Sequence, residues 1–203
     1  KKQNGIFVIK LHQFTENAGL EFRKAVREFY ASKSQKLIVD LRNNPGGFLT
    51  VSVDIASWFI PAGEVIARER FSDGSEDIYR SNGYGLLERI PTVVIINEGS
   101  ASASEILSGA LRDLRHVPLV GAKSYGKGSV QEVQDLPKAS SLKITIAKWL
   151  TPNGIEIDGK GLDPDIIVKL PDQPDENDLD RDIVLEKAID ILNKTNSTTV
   201  RNQ

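Results

Sequence analysis

The sequence has no cysteine, no methionine and only two histidines among its 203 residues. Without cysteine there can be no disulfide, no thiolate nucleophile and no cysteine-ligated zinc. His12 and His116 are too few and too far apart in the chain to suggest a metal site, and no cofactor is expected. A serine enzyme with a histidine base would have to recruit one of them. His12 lies in a strand-like opening segment and His116 just past a helix end, where a surface role fits better. The missing methionine implies that the chain does not start at its own start codon, so a fragment or processed product is expected. No apolar run approaches membrane-spanning length, and Lys1-Lys2-Gln3-Asn4 has no apolar core of the signal-peptide kind. Neither a membrane span nor a targeting segment is therefore expected in these residues. Charge of one sign is also scarce: 26 basic against 28 acidic residues give a net charge of -2, with no long basic run. Phosphate backbones need clustered Lys and Arg, so nucleic acid is excluded as a main partner.

What is present suffices for one α/β domain, since 39% of the residues are hydrophobic. Gly5 to Leu11 reads as a strand, Ala18 to Tyr30 as a helix with apolar residues at helical spacing, and Leu37 to Leu41 as a second strand. The near-continuous apolarity of that strand predicts a parallel sheet covered on both faces. Arg42-Asn43-Asn44-Pro45-Gly46-Gly47 follows, then a helix over 51–60. Two glycines between a strand end and a helix start let backbone N–H groups face a ligand, although Asn, Pro and Gly also make plain turns. The stretch 63–85 predicts a hairpin or surface excursion, and Thr92 to Ile96 re-enters the core.

Directly behind that strand comes Asn97 to Glu105, Asn-Glu-Gly-Ser-Ala-Ser-Ala-Ser-Glu, and then Ile106, Leu107, Ala110, Leu111 and Leu114 at helical spacing. The serines thus sit at a strand-to-helix junction, where unpaired N–H groups and the positive end of the macrodipole suit a developing oxyanion. The plain alternative is that Ser100 or Ser102 caps the helix with Glu105 as its box partner.

A strand near 117–120 leads into Gly121 to Gln131. Gly121, Gly126 and Lys127 match the phosphate-binding loop until its last position, where Gly128 stands in place of the hydroxyl residue that holds magnesium, so nucleotide binding is disfavoured. Lys127 could instead serve as a base, because a lysine takes a serine's proton when it is neutral and burial favours the neutral form, although a lysine in a glycine-rich loop is more commonly a solvated surface charge. If 127–131 is extended, Lys127, Ser129 and Gln131 share a face, and the uncharged Gln131 could orient the amine. Ser141 to Leu150 reads as a strand and Ile166 to Val168 as another. Asp172 to Asp182 reads as an acidic linker, Leu179 to Leu192 as a closing helix, and the tail from Asn193 as disordered.

Four segments, LIVDLRNNPGG from Leu37, NEGSASASEI from Asn97, VGAKSYGKGSVQ from Val120 and TPNGIEIDGKGLDPD from Thr151, together resemble the C-terminal processing peptidases, or tail-specific proteases. The likeness covers about residues 5 to 170. It implies an α/β fold, a ClpP/crotonase-like core of repeated ββα units, and a serine-lysine endopeptidase. By the same resemblance Ser102 is the nucleophile, Lys127 the base 25 residues later and Gln131 its assistant, with backbone N–H groups of Ala103 and of Gly47 or Gly46 as oxyanion hole. Asp113 matches an aspartate that some members carry, but its place after Arg112 near a helix end reads as structural. The implied partners are protein or peptide substrates with unstructured C-termini; a homo-oligomer is compatible, and export to the periplasm or cell envelope is the implied location. A peptide-binding core that has lost its chemistry remains the alternative. Members usually carry a PDZ domain, and nothing in 1–203 reads as one. Residues 1–170 are therefore expected to form the peptidase core, and 171–203 a linker, closing helix and flexible tail.

Overall fold

The computed structural model describes residues 2–3, 5–136, 140–170 and 181–199. Its centre is a six-stranded sheet in the order β1-β2-β3-β6-β7-β10. These strands are β1 (Lys2–Gln3), β2 (Ile6–Lys10), β3 (Lys36–Asp40), β6 (Thr92–Ile96), β7 (Leu119–Gly121) and β10 (Ile166–Ile167). All neighbours pair in parallel except the edge strand β1. As the apolar run predicts, β3 and β6 are buried along their whole length.

Strand alternation sends side chains to two separate cores. Phe7, Ile9, Leu37, Val39, Val94, Ile96 and Leu119 face one side, under the helices α1 (Ala18–Ala31), α2 (Leu49–Ala56) and α3 (Ala103–Arg115). Ile6, Ile38, Val93, Ile95 and Val120 face the other side and meet Val184, Ala188, Ile189 and Leu192 of α4 (Ile183–Thr199). Burying side chains such as Ile189 and Leu192 stabilises the fold by about 1.5–3 kcal/mol each. Arg42 fastens the start of α4: it pairs with Asp40 below and with Asp182 above. Asp40, the acidic residue that ends β3, is thereby satisfied where it is only 3% exposed.

A second sheet, antiparallel and in the order β5-β4-β9-β8, comprises β4 (Val65–Phe71), β5 (Glu76–Arg80), β8 (Ser129–Leu136) and β9 (Ser140–Leu150). The expected hairpin is therefore not a stray excursion, since β4 pairs with β9 in one direction and β5 in the other. The tail is more ordered than expected: α4 continues through Asn193, whose Oδ1 accepts a hydrogen bond from Lys36 at 3.1 Å, and on to Thr199. Residues 171–180, which hold all but the last two positions of the expected acidic linker, and residues 200–203 lie outside the described residues. Among the described residues no helix is long and apolar enough to cross a membrane.

Candidate active site

Ser102 stands where β6, at the centre of the sheet, hands over to α3. Helix α3 is buried from Ala103 through Leu111, carries Glu105 in its first turn and Arg112 and Arg115 in its last, and ends at His116 in the left-handed conformation. Its charges complement the macrodipole at both ends. The three serines of the turn divide by environment. Ser100 is fully buried and donates its hydroxyl to the Leu41 carbonyl at 2.8 Å; Ser104 is fully buried and donates to the Asn44 carbonyl at 2.9 Å. Only Ser102 of the three is partly exposed. It also adopts φ 55° and ψ -115°, a conformation that L residues rarely take and that costs on the order of 1–3 kcal/mol. The box partner foreseen for the helix start is present, with the Glu105 carboxylate accepting the Ser102 N–H at 2.8 Å.

The Asn43 to Gly47 turn lies directly against this serine turn. Asn43 and Asn97 clasp each other, the Asn43 N–H donating to Asn97 Oδ1 at 2.8 Å and Asn97 Nδ2 to Asn43 Oδ1 at 2.9 Å. Asn44, fully buried, donates to the Leu11 carbonyl, and its own carbonyl accepts the Ala101 N–H at 3.0 Å. A Cβ on Gly46 would come within 2.7 Å of the Ala101 carbonyl oxygen and 2.8 Å of Ser102 Cβ, so only glycine lets the two turns approach this closely. The two glycines differ in what their amides do. The Gly46 N–H is taken by Asn44 Oδ1 at 2.9 Å. The N–H groups of Gly47 and Ala103 meet no backbone or side-chain acceptor among the described residues.

Lys127 sits in the loop between β7 and β8, and its side chain is exposed. The burial that would favour its neutral form is thus not supplied by the surrounding protein. Nor does strand pleat carry Lys127, Ser129 and Gln131 to one face. Strand β8 begins only at Ser129, and a bulge between Val130 and Gln131 interrupts the alternation. Gln131, opposite Thr145, is exposed as well. What holds the loop is its backbone. The Lys127 N–H donates to Glu105 Oε2 at 3.0 Å, the oxygen that also accepts the Ser102 N–H, so the two amides lie within twice a hydrogen-bond length of each other.

The fourth segment, from Thr151, supports the loop from outside. The Gly126 carbonyl accepts the Gly159 N–H at 2.9 Å and the Ser124 hydroxyl accepts the Leu162 N–H at 2.7 Å. A Cβ on Gly128 would fall 2.2 Å from the Asp158 N, so the position that breaks the phosphate-loop pattern is glycine for packing reasons. The loop leads into strand β8, not into a phosphate-binding helix.

Asp113, whose side chain is 3% exposed, accepts the Thr151 hydroxyl at 2.5 Å and the Asn153 N–H at 3.0 Å. It braces the turn after β9 from far along α3. His116 is separated from Ser102 by the whole of α3, about 20 Å for a helix of that length. Both histidines are exposed. Among the described residues no group of three or more His, Asp or Glu is placed to hold a metal. The residue sequence reasoning undervalued is Glu105, whose pattern read only as a helix cap.

Residues 5–168 match the sequence model of peptidase family S41. The carboxy-terminal processing protease CtpA of Bacillus subtilis is 35% identical over 171 residues, which cover 84% of this chain and 36% of that protein. A "Probable CtpA-like serine protease" of Staphylococcus haemolyticus is 37% identical over 172 residues, 84% of this chain and 35% of that one. The chain thus spans about a third of the length of these relatives. Among solved structures, the photosystem II D1 C-terminal processing protease aligns with a TM-score of 0.75 and 33% identity, over 81% of this chain and 42% of that one.

Proposed function

The chain belongs to peptidase family S41, and from that premise we propose that it is a serine endopeptidase of the C-terminal processing type with Ser102 as nucleophile, Lys127 as general base and Gln131 orienting the lysine amine. The observation that carries the reading is Ser102 itself: the one partly exposed serine of its turn, held at positive φ beside two uncommitted amides.

In this reading the neutral Lys127 amine takes the hydroxyl proton as Ser102 Oγ attacks a peptide carbonyl carbon. The carbonyl oxygen becomes an oxyanion, stabilised by the N–H groups of Ala103 and Gly47 at the positive end of α3. Gly46 contributes close approach, and its amide stays with Asn44. Collapse of the tetrahedral species breaks the C–N bond, and the Lys127 ammonium protonates the leaving amine. Water, deprotonated by the same lysine, then hydrolyses the acyl-serine and restores both groups. A bound substrate covering the exposed Lys127 supplies the desolvation that favours the free amine. The names of the relatives support protein substrates cut near their C-termini; that those ends are unstructured and that the protein is exported from the cytoplasm are proposed from the sequence resemblance alone.

The exposure of Lys127 favours one other reading, a peptide-binding core of the same fold without turnover. Fluorophosphonate labelling and casein cleavage separate the two. An active enzyme labels at Ser102 and loses cleavage in Ser102→Ala and Lys127→Ala. Cleavage that survives in Ser102→Ala, or a native protein that binds peptide yet neither labels nor cleaves, sinks the proposal.

A further inference from the structure

Glu105 is 1% exposed, and no cation is paired with its carboxylate among the described residues. Four N–H or O–H donors converge on it instead. Oε2 accepts the N–H of Ser102 at 2.8 Å and of Lys127 at 3.0 Å; Oε1 accepts the N–H of Gly126 at 2.7 Å and the hydroxyl of Ser124 at 2.6 Å. Capping α3 accounts for the first of these bonds alone. The other three come from the loop that carries Lys127, which approaches α3 from a different strand. A charged acceptor strengthens each bond, and burial makes losing any of them costly.

We propose that Glu105 is the positioning residue of the site: its carboxylate is the joint that fixes the Lys127 loop relative to the Ser102 turn, and so sets the separation of base and nucleophile. This inference rests on the serine-lysine reading above. Glu105 touches no reacting atom; it acts through the amides on either side. The loop has further anchors, the Tyr125 N–H to the Ser100 carbonyl at 3.0 Å and the contacts of Ser124 and Gly126 with 159–162. Losing the carboxylate therefore shifts the loop without releasing it.

Glu105→Gln keeps the volume but replaces one oxygen by an amide that donates, so one pair of donors loses its acceptor. The test measures three quantities on the whole chain: hydrogen exchange at the amides of Ser102, Gly126 and Lys127, the rate of fluorophosphonate labelling per folded molecule, and KM against kcat for a peptide. The expected result is exchange at least about 10-fold faster at one or more of these amides, labelling and kcat lower by about 100-fold, and KM within about 3-fold, since misplacement by an ångström costs that order in rate. Faster exchange with labelling at the parental rate would show that the carboxylate only holds the fold, and overturns the proposal. Unchanged exchange overturns it too. A parental protein that does not label fails the serine-lysine reading, and the positioning role with it, so the two failures are told apart by the parent. Should Glu105→Gln not fold, Ser124→Ala removes one donor to Oε1 while sparing Ser102 and Lys127. It is expected to label about 10-fold more slowly, and labelling at the parental rate overturns the proposal.

Discussion

Arg42 and Asp182, 140 residues apart in sequence, meet in a two-pronged ion pair, Nη1 to Oδ1 at 2.8 Å and Nη2 to Oδ2 at 2.7 Å. The guanidinium also grips Asp40, and these bonds raise Arg42 above its already high ordinary range even though burial works against the charge. Burial alone would push the Asp182 carboxyl up; the hydrogen bonds from Arg42 and the Leu185 N–H outweigh it, and the carboxyl is held below its ordinary value. The strand end of β3 and the start of α4 are thus joined through one arginine.

The sign of the Asp182 shift sets a pH dependence. A carboxyl depressed in the folded state stabilises fully above its unfolded value, near pH 4, and loses that contribution as pH falls toward and through its folded value. Asp182→Asn should lower stability at neutral pH by about 1 kcal/mol, a figure reduced for partial exposure, or about 2–4 °C in Tm. The gap from the parent should shrink steadily in thermal scans below pH 4. A gap that grows on acidification would contradict the assignment.

Ser102 pays for its position in backbone strain, so two substitutions that both remove the hydroxyl should differ. Neither Ser102→Gly nor Ser102→Ala can label. Glycine tolerates φ 55°, ψ -115° and alanine does not, so Ser102→Gly is expected to be the more stable by about 1 kcal/mol, after its larger unfolded-state entropy is counted. Urea denaturation of the two proteins decides; equal midpoints would mean the turn is not strained.

Gly46 and Gly74 both have positive φ, at 96° and 87°, yet only Gly46 has neighbours where a side chain would go. Gly74→Ala should cost about 1 kcal/mol of local strain and leave peptide cleavage intact. Gly46→Ala, driven into the Ala101 carbonyl and Ser102, should cost more in stability and abolish most cleavage. Comparable cleavage by the two variants would remove Gly46 from the site.

Asp113 gives the opposite pattern. Asp113→Ala leaves the Thr151 hydroxyl and the Asn153 amide without their acceptor, at a cost of about 1–3 kcal/mol. Its labelling rate per folded molecule should stay close to that of the parent. A large loss of labelling in a fully folded variant would instead give Asp113 a part in the chemistry.

The buried strands of the central sheet and the helices over them are legible because each carries its own apolar periodicity, as in Leu37 to Leu41 or Ile106 to Leu114. The second sheet is not legible as a unit. Strands β8 and β9 are mostly exposed, so their weak alternation says little about which distant strand each will join. The serine turn, the glycine turn and the lysine loop can each be found by spacing, but their meeting depends on side chains that look ordinary. Asn44 reads as a turn residue and Glu105 as a cap, because hydrogen bonds between segments leave no periodic trace. The exposure of Lys127 agrees with the plain reading of a lysine in a glycine-rich loop as a solvated surface charge.

Strand β6 leads through a short turn to Ser102 and has one apolar face under α1 to α3 and the other under α4, which follows it far downstream. A nascent chain emerging from the ribosome therefore carries Ser102 long before the covering of Val93 and Ile95 has been synthesised. A chain that stops before Ile183 therefore presents Val93 and Ile95 as a bare sheet face.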